Sequence, residues 1–300
     1  PPEKRAGAMG IYSLGVVLGA AGGTMIGGTL AHFFGWRVAI LFMCACHKIS
    51  CIGLMPTAEN VCVAEYPSCL LLPGSLCDER LFAPLQDAWA QLNYRPNLKV
   101  ADLHRLSLGL ENWWGELLED LPGPLDVLGF SLGGVLALQL LARAPARVRR
   151  LVLVASNPQA GGTQHREKVQ AQQALWVSQG ASAVAQVMLE QGSPGAAAAV
   201  CAQVLAMAAD TPKAAFDAQG ELNAGRPDGT PALTRWRGPL LLVSGQDDPL
   251  CGDDKQALLR HARPDARWLA LPATGHYVPL ERPQELAQAS ANFFQSSDAG

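Results

Sequence analysis

The sequence predicts an α/β fold: a mostly parallel sheet with helices on both faces and a helical cap inserted late in the chain. Three observations carry this. From residue 60 onward, short Leu- and Val-rich runs alternate with amphipathic stretches. Each run is apolar almost throughout, as a strand covered on both faces requires. The interval 157–237 between two of the runs has helical spacing and no strand pattern.

Taken in order, the strand runs are 69–72 (CLLL), 98–102 (LKVAD), 125–129 (LDVLG), 150–155 (RLVLVA), 240–244 (LLLVS) and 267–271 (RWLAL). The helical patterns between and after them fall at 81–92, 112–118, 132–143, 255–261 and 283–294. The interval 157–237 is rich in Ala and Gln and is punctuated at 161–162, 192–194, 210–212 and 225–231 by Gly, Pro and Asp. Those breaks predict about four helices. An insertion of this kind is expected to cap the C-terminal edge of the sheet, where open α/β sheets bind ligands. Residues 55–156 and 238–300 then form the core. Leu76, Trp176, Met188 and Met207 are expected to line an apolar substrate pocket under the cap.

The chain of 300 residues is 49% apolar and 16% charged, with a formal net charge of −3. Nothing in that balance favours nucleic acid, which calls for a basic face. Eight cysteines show no regular pairing and are expected to be free thiols in a reducing compartment, hence a cytoplasmic protein. Cys44, Cys46, His47 and Cys51 crowd together, but no second ligand pair follows, so no metal is expected.

Residues 1–54 do not fit the α/β pattern. From Ala6 to Trp36 there is no Asp, Glu, Lys or Arg, and Gly15, Gly19, Gly23 and Gly27 recur along one helix face. Small residues at that spacing suit helix contact in a bilayer, and the same glycines destabilise a helix in water. "PPEKRAGAMGIYSLGVVLGAAGGTMIGGTLAHFFGWRVAI", residues 1–40, resembles one span of a major facilitator superfamily drug-efflux transporter, over roughly residues 1–42, with Ala20 and Thr24 where that family usually has prolines. Residues 1–54 are expected to be an upstream fragment joined in frame, with Met55 close to a natural start. The alternative is membrane association through residues 10–46. Membrane contact is expected only if this segment is retained.

The chemistry sits in three loops. In "DVLGFSLGGVLALQL" a strand candidate ends just before Ser131 and a helix candidate begins just after it. A serine at such a turn is held in strained geometry, flanked by glycines that avoid clashes, at a helix N-terminus that favours an oxyanion. Ser131 is therefore the expected nucleophile. It needs a base, and His276 in "ALPATGHYVPLERP" lies between the last strand and the last helix. His104, His165 and His261 have no supporting pattern and are expected to be solvated. The base needs an acid, and "LLLVSGQDDPLC" offers Asp247 and Asp248, of which Asp248 is preferred. The oxyanion needs two donors: the N–H of Leu132 after the nucleophile, and one from "SCLLLPGSLCDERLF", where Ser75 is nominated and Leu76 is runner-up. Cys77 and Cys251, near these loops, are expected to be spectators.

With these pieces together, residues 66–296 resemble the α/β-hydrolase superfamily and its serine esterases. "GFSLGG" looks like the nucleophile elbow, "GQDDP" the acid loop, "GHYVPLERP" the histidine loop and "LLLPGSLCDERLF" the oxyanion loop, with Pro73 where many members have His. The chain order Ser, Asp, His is that of this superfamily. The resemblance implies a carboxylic ester hydrolase working on small to medium esters through an acyl-enzyme, without metal or organic cofactor. Alternatives in the same fold are a thioesterase, a lactonase or a carbon–carbon bond hydrolase. The alternative of a different class is a non-catalytic ligand-binding protein of this fold. The expected partner is a small-molecule ester. Oligomeric state is open.

Overall fold

The computed structural model describes residues 67–296. The expectations for residues 1–54, for the Met55 start, for membrane association through 10–46 and for the beginning of the core at 55–66 lie outside the described residues. Among the described residues, no helix is long and apolar enough to cross a membrane.

Six strands form one sheet among the described residues: β1 (Cys69–Leu72), β2 (Leu98–Val100), β3 (Leu125–Phe130), β4 (Val148–Val154), β5 (Leu240–Gly245) and β6 (Arg267–Leu271). Their order is β2-β1-β3-β4-β5-β6 and every neighbouring pair is parallel. The chain steps from β1 outward to β2, then crosses back to place β3 on the other side of β1. The order therefore reverses between β1 and β3, and a crevice opens there beyond the C-terminal strand ends. Leu72 pairs with Gly129 and Gly245 with Leu271, so β1 and β3 end level with each other, as do β5 and β6.

Each predicted strand is present, with shifts at the ends. β2 stops at Val100 because Asp102 leaves the strand to cap a 3-10 helix, Leu103–Leu108, accepting from the His104 N–H at 2.9 Å. β4 starts earlier than its apolar run because Arg149 and Arg150 are strand residues with partners of their own.

Side chains alternate across the sheet as the two-residue period requires. Cys69, Leu71, Leu128, Phe130, Val152, Val154, Leu241 and Val243 belong to one buried cluster, together with Leu85, Trp89, Leu286 and Phe293. These last come from helices α1 (Ala83–Gln91) and α11 (Pro283–Gln295). Leu70, Leu72, Val127, Leu151, Leu153 and Leu242 belong to the other, with residues of α2 (Leu110–Glu119), α3 (Leu132–Arg143) and α9 (Asp253–Ala262). Each of these fully buried aliphatic side chains contributes about 1.5–3 kcal/mol by leaving water, which is why an apolar run without alternation forms a central strand here.

Charged side chains lie inside this sheet, Asp126 on β3 and Arg150 on β4. Asp126 on β3 is fully buried, and the Arg149 guanidinium grips it from β4, Nε to Oδ1 at 2.9 Å and Nη2 to Oδ2. Arg149 and Arg150 also donate to the Phe294 carbonyl at the end of α11. Burial raises the Asp126 carboxyl to about 6, against the opposing pull of Arg149. The folded state therefore holds that proton longer than the unfolded chain, and this group's contribution to stability falls as pH rises from about 4 to about 6. Arg149→Met leaves a buried carboxylate without its partner. We expect a loss of about 3 kcal/mol in urea unfolding at pH 8, shrinking as pH falls from 8 toward 6, because without Arg149 the carboxyl takes its proton at a higher pH than in the native protein. An equal loss at pH 5 and pH 8 would show that the unpaired charge is not the cause.

Between β4 and β5 run five helices: α4 (Thr163–Gln179), α5 (Ala181–Gly192), α6 (Ala198–Ala209), α7 (Lys213–Gly225) and α8 (Thr230–Arg235). The four sequence breaks are real, and a fifth occurs at Gly180. There the backbone turns to φ 84°, which a side chain rarely adopts, and it separates α4 from α5 without a proline or a polar cluster to mark it. α10 (Val278–Glu281) follows the histidine loop and precedes α11.

Candidate active site

Ser131 is the single residue between β3 and α3, at φ 53° and ψ −113°. A non-glycine residue there is strained by about 1–3 kcal/mol. The strain is held by hydrogen bonds on both sides: Ser131 N–H donates to the Val154 carbonyl at 3.0 Å, and its carbonyl accepts from Gly134 N–H at 2.9 Å. The flanking glycines are required by contact. A Cβ on Gly133 would lie 1.9 Å from the Leu72 carbonyl oxygen, and one on Gly129 would lie 2.5 Å from that of Gly133. α3 can therefore start directly against β1, at the crevice where the strand order reverses.

The structure brings Ser131, His276 and Asp248 into one chain of hydrogen bonds. His276 Nε2 lies 2.9 Å from Ser131 Oγ, and His276 Nδ1 lies 2.9 Å from Asp248 Oδ2. A carboxylate facing Nδ1 calls for a proton on that nitrogen, which leaves Nε2 as an acceptor for the serine hydroxyl. His276 and Asp248 are both buried. The second oxygen of Asp248 accepts from Leu250 N–H at 2.8 Å and Cys251 N–H at 3.0 Å, so the carboxylate is fixed from three directions. Asp247 is exposed, and only its backbone N–H is engaged, with the Thr274 carbonyl at 2.9 Å.

The loop carrying His276 is clamped by two residues that sequence reasoning missed. Ser193 Oγ, at the end of α5, accepts from His276 N–H at 2.8 Å and donates to Glu281 Oε1 at 2.7 Å. Glu281 accepts in turn from Gly275 N–H at 2.8 Å and Tyr277 N–H at 2.9 Å. Ser193 lies outside any motif, and Glu281, although inside the quoted histidine loop, is five residues past His276 with no local signal that it turns back onto the loop amides. Glu281→Ala unties both loop amides, and we expect kcat for ester hydrolysis to fall by about ten-fold with an unfolding loss of about 1–3 kcal/mol. Unchanged kcat in a destabilised variant would confine Glu281 to folding.

The loop after β1 carries Ser75 and Leu76. Leu76 sits at φ 58° and its N–H donates to Gln219 Oε1 at 3.0 Å, so this runner-up donor is already used by a side chain from α7. Ser75 and Leu132 both line the cavity at Ser131, and their N–H groups have no acceptor from the chain among the described residues. That leaves two amides available to an oxygen beside Ser131.

The cavity has a volume of about 170 Å3 and includes Ser75, Ser131, Leu132 and His276 in its walls. Of the four residues expected to line it, Met188 does. Leu76 is buried against Val184, Ala185, Ala208 and Phe216, and Met207 packs fully buried in the core beneath the sheet's first face. Trp176 stands behind the wall, stacked on Phe216 at 4.6 Å. In their place come Asn157, His165, Lys168, Gln172, Asn223 and Arg226, so the lining is far more polar than the expected apolar pocket, and His165 is part of it rather than a surface residue. A larger cavity of about 290 Å3, walled by Leu110, Leu138 and Gln139, contains none of Ser131, Asp248 and His276. The smaller cavity, which holds Ser131 and His276, is the candidate site.

Asp248, Cys251 and His276 also bring three possible ligand atoms within 4.8 Å of one another. Burial and the Asp248 charge push the Cys251 thiol well above its ordinary value, and both nitrogens of His276 are engaged by Ser131 and Asp248. A protonated thiol is a poor metal ligand and a poor nucleophile. The Cys77 thiol is pushed up in the same way by burial.

The fold and this site define a class. The sequence pattern of the alpha/beta hydrolase family matches residues 67–289, and the chain belongs to that family. A stretch of 49 residues is 49% identical to the pimeloyl-[acyl-carrier protein] methyl ester esterase of Aromatoleum aromaticum, covering 16% of this chain and 20% of that protein. The chain thus matches about a fifth of that relative's length. Among solved structures, a thermophilic esterase from Thermogutta terrifontis superposes with a TM-score of 0.63 at 19% identity, over 74% of this chain and 87% of the other. The enol-lactonase from Burkholderia xenovorans LB400 gives 0.63 at 19% identity, over 77% and 92%. The transporter resemblance of residues 1–42 gains no support from these likenesses.

Proposed function

We propose that the protein hydrolyses small carboxylic esters with Ser131 as nucleophile, His276 as general base and acid, and Asp248 as its orienting partner. The observation that carries this is the unbroken hydrogen-bond chain Asp248–His276–Ser131, ending in a cavity with the Ser75 and Leu132 amides. His276 Nε2 takes the Ser131 proton as Oγ bonds to the ester carbonyl carbon. The carbonyl oxygen becomes an oxyanion and accepts from the two amides. His276 then protonates the leaving alcohol oxygen, the C–O bond breaks, and an acyl-Ser131 remains. Water, deprotonated by His276, attacks the acyl carbon and releases the acid, returning the proton to Ser131. A cavity of about 170 Å3 suits a short acyl chain, since each water-sized group takes about 30 Å3.

The test is covalent. A fluorophosphonate probe should label the folded protein once, on the peptide containing Ser131, with parallel loss of p-nitrophenyl butyrate hydrolysis. Full activity in the labelled protein, or a label placed elsewhere, would sink the assignment.

A further inference from the structure

The inner surface of the β4–β5 insertion is basic where a packed helix face is ordinarily apolar. On α4, His165, Lys168, Val169 and Gln172 follow one helix stripe and all line the cavity at Ser131, while the only buried residue of that helix is Val169. On α7, Phe216, Gln219, Gly220 and Asn223 form the facing stripe. The two helices approach closely at Gly220, where a Cβ would lie 2.9 Å from Val169. Arg226 follows α7 and closes the wall.

Two cationic side chains, Lys168 and Arg226, and the imidazole of His165 thus share one small cavity, and none of its lining residues is Asp or Glu. Arg226 is only 8% exposed. It donates to the Gln159 carbonyl at 2.8 Å and to Asn223 Oδ1, and it lies 3.1 Å from His165 Nε2. None of these partners is a carboxylate, whereas a guanidinium so buried ordinarily has one. Lys168 stands at the rim, open to solvent on one side, and makes no hydrogen bond or ion pair among the described residues. Burial, then Arg226, Lys168 and Lys255, hold His165 below its usual value, so it accepts from Arg226 in neutral form. The acid nearest in sequence to Lys255, Asp254, pairs with it outside the cavity. A buried guanidinium without a carboxylate partner is costly, and a bound anion offsets that cost.

We propose that the cavity takes an ester carrying a second, ionised oxyanion, a carboxylate or a phosphate, which Arg226 and Lys168 bind while the ester carbonyl lies at Ser131. This rests on the esterase reading for the second half of the statement only. Gln219 and Asn223 add neutral polar groups to the wall, and Met188 and Phe216 add apolar ones. The specificity is then for charge at the far end of a short chain.

Two measurements test it. In the first, the His165 ring is titrated by NMR with and without glutarate, and with inorganic phosphate. A bound anion should raise the His165 pKa, and the rise should be lost in Lys168→Met, whose side chain has no protein partner to disturb, and in Arg226→Gln. No movement with either anion at tens of millimolar overturns the site. In the second, kcat/KM is compared by proton release for monoethyl glutarate, ethyl 4-phosphonobutanoate and ethyl pentanoate, which share one carbon frame. At least one charged ester should be preferred by about ten-fold or more, and Lys168→Met should cut the charged-to-neutral ratio by about ten-fold. The better of the two charged esters identifies the anion. Hydrolysis of ethyl pentanoate with no charge preference and no His165 shift overturns the anion site and leaves the esterase reading intact. A His165 shift with no ester hydrolysed does the reverse.

Discussion

Ser131→Ala is expected to lower kcat for p-nitrophenyl butyrate by about 10^5–10^6-fold, with little change in melting temperature. The rate loss is this large because removal of the nucleophile disables the whole unit, so adding His276→Ala costs almost nothing more. The stability change is small because alanine keeps the same backbone bonds to Val154 and Gly134, and only the 2.9 Å contact with His276 is lost. A residual rate of about 10^3-fold over water should remain from the amides of Ser75 and Leu132 and from binding. Steady-state hydrolysis on matched, folded protein checks this. A variant that keeps a tenth of wild-type kcat would remove Ser131 from the chemistry.

Asp248→Asn carries the next largest effect. Its geometry can survive, since Oδ1 still meets the Leu250 and Cys251 amides, but an amide facing His276 Nδ1 favours the wrong tautomer. We expect kcat to fall by about 10^3–10^4-fold. Asp247→Asn, at an exposed side chain, should stay within about two-fold of wild type. The pair is decisive because the two residues are adjacent and of one type, and Asp248 is the one hydrogen-bonded to His276. If Asp247→Asn costs more, the hydrogen bond to His276 is not the functional one.

What could be read before the structure follows a physical divide. The strands were legible because burial on both faces leaves a continuous apolar run, and Cys69–Leu72 and Arg267–Leu271 match to the residue. Ser131 was legible because a strand-to-helix turn requires glycines on either side, and the 1.9 Å and 2.5 Å approaches at Gly133 and Gly129 are that requirement. Adjacent side chains point apart, which implied that one of Asp247 and Asp248 meets His276 but not which, and the structure joins Asp248 to His276. The pocket was not legible. Leu76 and Met207 are as apolar as any wall residue, but core packing claims both. Lys168 and Arg226 carry no local signal, because their inward placement depends on how α4 and α7 lie together. Ser193, Gln219 and Glu281 act on backbone amides far along the chain, at separations of 83, 143 and 6 residues. Nothing local encodes the two longer of these.

The bond from Leu76 N–H to Gln219, and the bond from His276 N–H to Ser193, have an evolutionary corollary. Insertions after β4 are the natural place for a fold of this kind to acquire new specificity, since they change the cavity and not the sheet. Here that freedom is restricted. A graft that replaced the five helices between β4 and β5 would remove one side-chain acceptor from the loop of Ser75 and another from the loop of His276. Both amides would be left without those partners, and both loops carry residues of the proposed site. Exchange of specificity between such proteins therefore has to preserve two anchoring side chains in the transplanted segment, at the ends of contacts that cross more than eighty residues of chain.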